Sequence, residues 1–185
     1  MFKKIFILIF TLFFVVSCWD DEATTSTTGL IKKETETLSI AIPSNWEVIE
    51  DKENILPKAK EWEIELAVAS KSIVNWFANN LLILSDNLDT FTSSKDYSML
   101  NNVWASTDYL DYTKLETKDF QFLDEELSII YIFEAKYNLD TPKIKFLQTA
   151  RVCNQNKAFF FTIALPTTIK DTTKYEYLLS TFECK

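Results

Sequence analysis

Two acidic groupings, two late cysteines and a dense set of aromatics are the side chains in this sequence that could carry chemistry. Asp124-Glu125-Glu126 is the densest acidic cluster of the folded part, and Glu61, Glu63 and Glu65 alternate along one segment. Carboxylates serve as hard-cation ligands or as acid–base pairs. The first cluster lacks the glycine and terminal glutamate of an EF-hand loop and reads as a solvated hairpin turn. The alternating glutamates share one strand face and are expected to meet water or nearby lysines. Glycoside chemistry would need two carboxyls about 5–10 Å apart inside a cleft, which sequence spacing does not specify. No metal, no cofactor and no catalytic residue is therefore expected. Three absences reinforce this. The chain has no histidine, the commonest general base and metal ligand. Its single glycine, Gly29, lies in a polar stretch, which excludes a phosphate loop, a dinucleotide fingerprint or a nucleophile elbow. With 27 acidic against 19 basic residues and one arginine, Arg151, a nucleic-acid partner is not expected.

The amino-terminal residues carry a different kind of chemistry. Lys3 and Lys4 precede an uncharged apolar run from Ile5 to Val16. That run fits a secretory core of roughly 7–15 residues and falls short of the roughly 20 needed to span a bilayer. It ends at Val15-Val16-Ser17-Cys18, which resembles the lipobox of bacterial lipoprotein signal peptides. The aliphatic residue stands three before the cysteine and the small one immediately before it. The resemblance implies cleavage of residues 1–17, a diacylglycerol on the Cys18 sulfur, and acylation of the new amino terminus. Two or three fatty chains suffice for stable anchoring, so a membrane partner through Cys18 is expected, in the inner or outer envelope membrane, with the domain outside the cytoplasm. Residues 18–36 are then the lipidated cysteine and a flexible tether, rich in Thr, Asp, Glu and Lys and without apolar periodicity. Such a coil spans roughly 20–25 Å. Losing Lys3 and Lys4 makes an acidic chain more acidic, so an anionic leaflet would repel the domain and the lipid alone would hold it.

Residues 37–185 are patterned as one globular domain, and the 47% apolar and 25% charged composition suits a real core. Leu38, Ile40 and Ile42 alternate with polar residues in a strand ended by Pro43, and Trp46 and Val48 begin another after a Ser44-Asn45 turn. Trp62, Ile64, Leu66 and Val68 predict a half-buried strand with its acids outward, and Leu81 to Leu84 a short buried run. Tyr97, Leu100, Val103 and Trp104 recur at helical spacing after Ser93 and Ser94, either of which can cap. Four successive strands are predicted over 113–122, 127–137, 143–153 and 157–165. Both faces of the second carry apolar residues, which argues for cover on both sides. Thr173-x-x-Glu176 reads as a capping box, followed by Tyr175, Leu178, Leu179 and Phe182 on one face of a closing helix. The fold class is α+β, a mostly antiparallel sheet of six or so strands with helices packed on it. This order, with Ile42-Pro43-Ser44-Asn45-Trp46 as its most specific local element, resembles the PsbP-like fold, an α/β/α sandwich named for an extrinsic photosystem subunit. The resemblance implies a non-enzymatic protein that binds other proteins. It carries over no binding residue.

With Cys18 assigned to lipid, an exported chain keeps an even pair, Cys153 and Cys184. Oxidising surroundings invite a disulfide between them, stapling the last helix to the sheet. Phe159-Phe160-Phe161 sends Phe159 and Phe161 to one face and Phe160 to the other, as core on both. Trp76 and Phe77 fall between predicted strands and are the candidates for an exposed anchor on a partner, set against a structural plug. The leading expectation is a lipid-anchored envelope protein whose domain is a non-enzymatic protein-binding or assembly module. The alternative is an envelope receptor for a small apolar ligand, motivated by the aromatic load.

Overall fold

Period-two alternation governs most of the globular part, and the structure turns it into ten strands and two helices among the described residues. A computed structural model describes residues 29–50, 62–74 and 77–185. In chain order these are β1 (Leu30–Glu34), β2 (Leu38–Pro43), β3 (Trp46–Val48), β4 (Glu63–Val74), β5 (Phe77–Asn87), α1 (Ser94–Asp108), β6 (Leu110–Gln121), β7 (Leu127–Lys136), β8 (Ile144–Cys153), β9 (Lys157–Pro166), α2 (Thr173–Ser180) and β10 (Glu183–Cys184). Seven strands form one antiparallel sheet in the order β3-β4-β5-β9-β8-β7-β6. A second antiparallel sheet has the order β1-β2-β10.

The large sheet is covered on both faces. On one, Leu38, Ile40 and Ile42 of β2 meet Tyr175, Leu178 and Leu179 of α2 over Val68, Ile83, Phe159 and Phe161. On the other, Tyr97 and Ala105 of α1 lie over Phe133, Phe146, Ala150 and Phe160. The α+β class is as expected, and so are the four carboxy-terminal strands, the closing helix and the opposed phenylalanines. No helix among the described residues is long and apolar enough to cross a membrane.

Several local expectations differ from what is found. Residues 30–34, assigned to the tether, form β1, with Leu30 opposite Pro43 and Glu34 opposite Ser39. This edge strand is held by main-chain bonds and by Lys32 and Lys185 clamping Glu183 and Glu34, so it needs no apolar alternation and shows none. Residues 19–28 of the tether and Cys18 lie outside the described residues, as do Glu61 and Trp76. In β4 a register shift between Ile64 and Leu66 resets the alternation. Leu66, Ala67 and Val68 are consecutively buried, and Glu65 turns inward instead of outward. Leu81 to Leu84 is the middle of an eleven-residue strand. Phe77 is therefore not a loop residue: it opens β5 opposite Val74 and packs partly buried on the α1-side core.

The helices also depart in detail. Ser93 caps α1, accepting from Asp96 N at 3.0 Å. The predicted stripe has the correct period, but only Tyr97 faces the sheet. Leu100, Val103 and Trp104 stand 47%, 59% and 47% exposed, and the buried face is Ser94, Ser98, Asn101 and Ala105. Small hydroxyls win because they let the helix approach the sheet backbone. Ser98 Oγ donates to Ile129 O at 2.7 Å, and Ser94 Oγ accepts from Val152 N at 2.9 Å. At α2 the cap is Thr172, not Thr173. Its hydroxyl makes no bond to a helix N–H and donates instead to Glu176 at 2.7 Å, while Asp171 Oδ1 accepts from Thr173 N, so the predicted capping box does not form.

Candidate functional site

Side-chain size decides where this molecule has room. On the α1 side of the large sheet, β4, β5 and β9 present Ala67, Ala69, Ala78 and Ala164, while α1 packs over β7 and β8. A half-covered sheet face floored by alanines leaves a cleft of about 530 Å³. Phe77, Tyr109, Phe146, Tyr137 and Ile144 wall it, and Pro142 and Thr141 of the β7–β8 connection close one end. This is the size of small-molecule pockets, which run to roughly 300–1,000 Å³.

The aromatic wall is tightly built. Tyr109 stacks 4.8 Å from Phe146 and 5.8 Å from Phe133, and Tyr112 lies 4.7 Å from Phe133. Burial, with the nearby Tyr137 and Asp108, pushes the Tyr109 hydroxyl up to about 12, so it stays neutral through the physiological range. Offset and tilted rings at these spacings hold one another in place, giving the cleft a preformed shape.

Tyr109 and Tyr137 also border a second cavity of about 420 Å³, between the end of α1 and the sheet. Its walls are Trp62, Trp104 and Phe160, with Trp62 stacked 6.3 Å from Trp104 and tilted against Phe160 at 5.8 Å. Asn101 and Gln148 line it, both 3% exposed. Asn101 Nδ2 donates to Tyr97 O at 2.8 Å and Gln148 Nε2 to Thr162 Oγ1 at 3.1 Å. Their carboxamide oxygens, Asn101 Oδ1 and Gln148 Oε1, have no partner among the described residues. An unmet buried acceptor costs about 1–3 kcal/mol, so two beside one cavity are a marked feature.

Of the residues singled out from sequence, Phe77 lines the cleft, while Trp76 lies outside the described residues. Cys153 and Cys184 are joined in a disulfide, Cα to Cα 5.9 Å, tying the end of β8 to β10. Asp124 takes Arg151 in a two-pronged pair at 3.1 and 2.7 Å, and Glu126 accepts from Ser94 at 2.7 Å. No group of three or more metal-ligating side chains occurs among the described residues. Glu65 is engaged as a structural ion pair. Burial pushes its carboxyl up, but bonds from Lys157, Ser85 and Thr37 outweigh this and hold it below its ordinary value. Sequence reasoning missed Tyr109, Phe146, Asn101 and Gln148. Its available signal was the set of alanines interrupting otherwise bulky strands.

No family model and no curated protein matches the sequence. Among solved structures the chain is similar to cyanobacterial PsbP (CyanoP) from Synechocystis sp. PCC 6803. The identity is 13% over 88% of this chain and 96% of that one, with a TM-score of 0.57. It is also similar to the Saccharomyces cerevisiae Ran-binding protein Mog1p, at 11% identity over 83% of this chain and 95% of that one, TM-score 0.46. The argument on fold rests on the first of these, and at such identities it concerns fold alone. The two-sided antiparallel sheet with its flanking helices and the CyanoP likeness together make this a PsbP-like fold.

Proposed function

We propose that this chain is a lipid-anchored, non-enzymatic binding protein of the cell envelope, held by Cys18 and working through the aromatic cleft on the α1 side of its sheet. The observation that carries the reading is the cleft itself, about 530 Å³ and floored by Ala67, Ala69, Ala78 and Ala164. Its apolar walls and preformed shape suit a small, largely apolar ligand. A catalytic reading finds little to build on. The carboxyls of Glu34, Glu65, Asp111, Asp171 and Glu183 are all held below their ordinary values, whereas a general acid needs its pKa raised.

Thermal denaturation with a panel of neutral apolar compounds tests this, because a ligand that binds the folded state raises the midpoint by mass action. The expected result is a rise with some of the panel that Ala69→Phe, which fills the floor, abolishes. A flat response across the panel overturns it. The anchor is tested separately by mass spectrometry of native protein: an amino terminus at Cys18 bearing acyl chains is expected, and one at Met1 refutes it.

A protein partner is the second reading, and it has its own observation. Met99, Leu100, Val103 and Trp104 make an outward apolar face on α1, of the kind that marks interaction surfaces. Pulldown from solubilised envelope, comparing the native chain with Leu100→Glu, separates the two: a specific partner lost on substitution favours it, and no specific partner sinks it.

A further inference from the structure

The second cavity combines three features that one ligand chemistry answers together. Its walls are π-rich, from Trp62, Trp104, Tyr109 and Phe160. Two of its lining residues carry acceptors with no partner among the described residues, Asn101 Oδ1 and Gln148 Oε1. Among the described residues the one charged side chain lining it is Asp108, an acid at the end of α1. Among the described residues no lysine or arginine lines it. Aromatic faces attract cations, unmet carbonyl oxygens require donors, and a carboxylate at the rim supplies the counter-charge.

We propose that this cavity binds the protonated amino group of a small organic amine, with Asn101 Oδ1 and Gln148 Oε1 accepting its N–H bonds and the Trp62–Trp104 pair holding its charge. The assignment rests on reading the adjoining cleft as a small-ligand site and adds the head group such a ligand would carry. Tyr109 and Tyr137 border both spaces, so the cavity lies next to the cleft that the apolar body of such an amine would occupy. The orientation of each carboxamide supports this. Asn101 Nδ2 is held by the Tyr97 carbonyl, which can only accept, so Asn101 turns its oxygen to the guest; Gln148 Nε2 donates to Thr162 Oγ1 and its oxygen is likewise left. Both oxygens are shielded from bulk water, so each guest bond requires a small turn of its carboxamide toward the cavity. The acidic balance of the whole chain, net −8, draws cations toward it.

The test uses the full chain in detergent micelles, with probe partitioning into micelles measured in parallel. Hexylammonium, hexyltrimethylammonium and 1-hexanol are titrated against tryptophan fluorescence and the melting midpoint. Hexylammonium is expected to bind about tenfold more tightly than hexanol, and hexyltrimethylammonium, which has charge but no N–H, to fall between them. Asp108→Asn, at an exposed position, and Trp104→Ala, at a half-exposed one, should each cut the advantage several-fold with the fold intact by circular dichroism. Gln148→Leu should erase the gap between the two ammonium probes. Equal binding of hexylammonium and hexanol overturns the proposal and leaves the apolar cleft standing. So does an advantage that survives both Asp108→Asn and Trp104→Ala. Failure of all three probes in the native chain removes the cavity and the cleft together.

Discussion

The Lys157 ammonium sits 2.7 Å from a Glu65 carboxylate oxygen, joining the start of β9 to β4 across the intervening β5. Ser85 of β5 donates to that same oxygen at 2.7 Å, and Thr37, ahead of β2, donates to the other at 2.7 Å. One largely buried carboxylate thereby ties three strands of the large sheet to the beginning of the small one. Removing one member of such a cluster leaves the others desolvated and unpaired.

Glu65→Ala is accordingly expected to destabilise the fold by about 2–4 kcal/mol, read from the urea midpoint at constant slope. The pH dependence has a definite sign. The folded carboxyl titrates below its ordinary value of 4.5, so its contribution is full above that pH and is lost as pH falls through the folded pKa. Glu65→Gln should flatten the acid side of the stability curve, and an unchanged acid limb would contradict the assignment.

Tyr109 gives the opposite window. Its hydroxyl is raised from 10.0 to about 12 by burial, so the folded state prefers it protonated. The associated stability is complete below pH 10 and declines as pH climbs toward 12. Spectrophotometric titration of tyrosinate should show a late-ionising group that disappears in Tyr109→Phe.

The disulfide closes a separation of 31 residues. On the chain-entropy account it stabilises the fold by about 3–4 kcal/mol. Cys153→Ser with Cys184→Ser should lower the midpoint to match the reduced native chain. Both thiols alkylating without reductant would exclude the bond.

Helix α1 allows a contrast between its two faces. Leu100→Ala or Val103→Ala, on the outward face, should change stability by no more than about 0.5 kcal/mol. Ser98→Leu, on the close-packed face and 1% exposed, should cost about 1–3 kcal/mol by overpacking. Equal effects on both faces would mean the helix is oriented otherwise.

Much of the architecture follows from one-dimensional pattern. β7 to β9 alternate, or run apolar on both faces, because each lies in a covered sheet, so their residue types report burial directly. Phe159, Phe160 and Phe161 are divided between two cores by strand geometry alone, and Pro43 marks the end of β2 because it has no N–H to donate. β1 was illegible because an edge strand is stabilised by backbone bonds that every residue type supplies. Glu65 was misplaced because a single register shift inverts the side on which a strand residue points.

What the chain's order of residues determines here is the α+β sandwich and the absence of histidine-based chemistry; the lipobox resemblance ending at Cys18 is what the proposed anchor rests on. Only the three-dimensional packing decides that α1 turns Ser94, Ser98 and Asn101 inward and Trp104 outward, since that depends on how closely small hydroxyls let helix and sheet backbones approach. Only packing brings Ala67 and Ala69 of β4 against Ala164 of β9, Tyr109 after α1 and Phe146 of β8. A concavity is a property of what neighbours fail to fill, and residues far apart in sequence become neighbours only once the sheet is assembled.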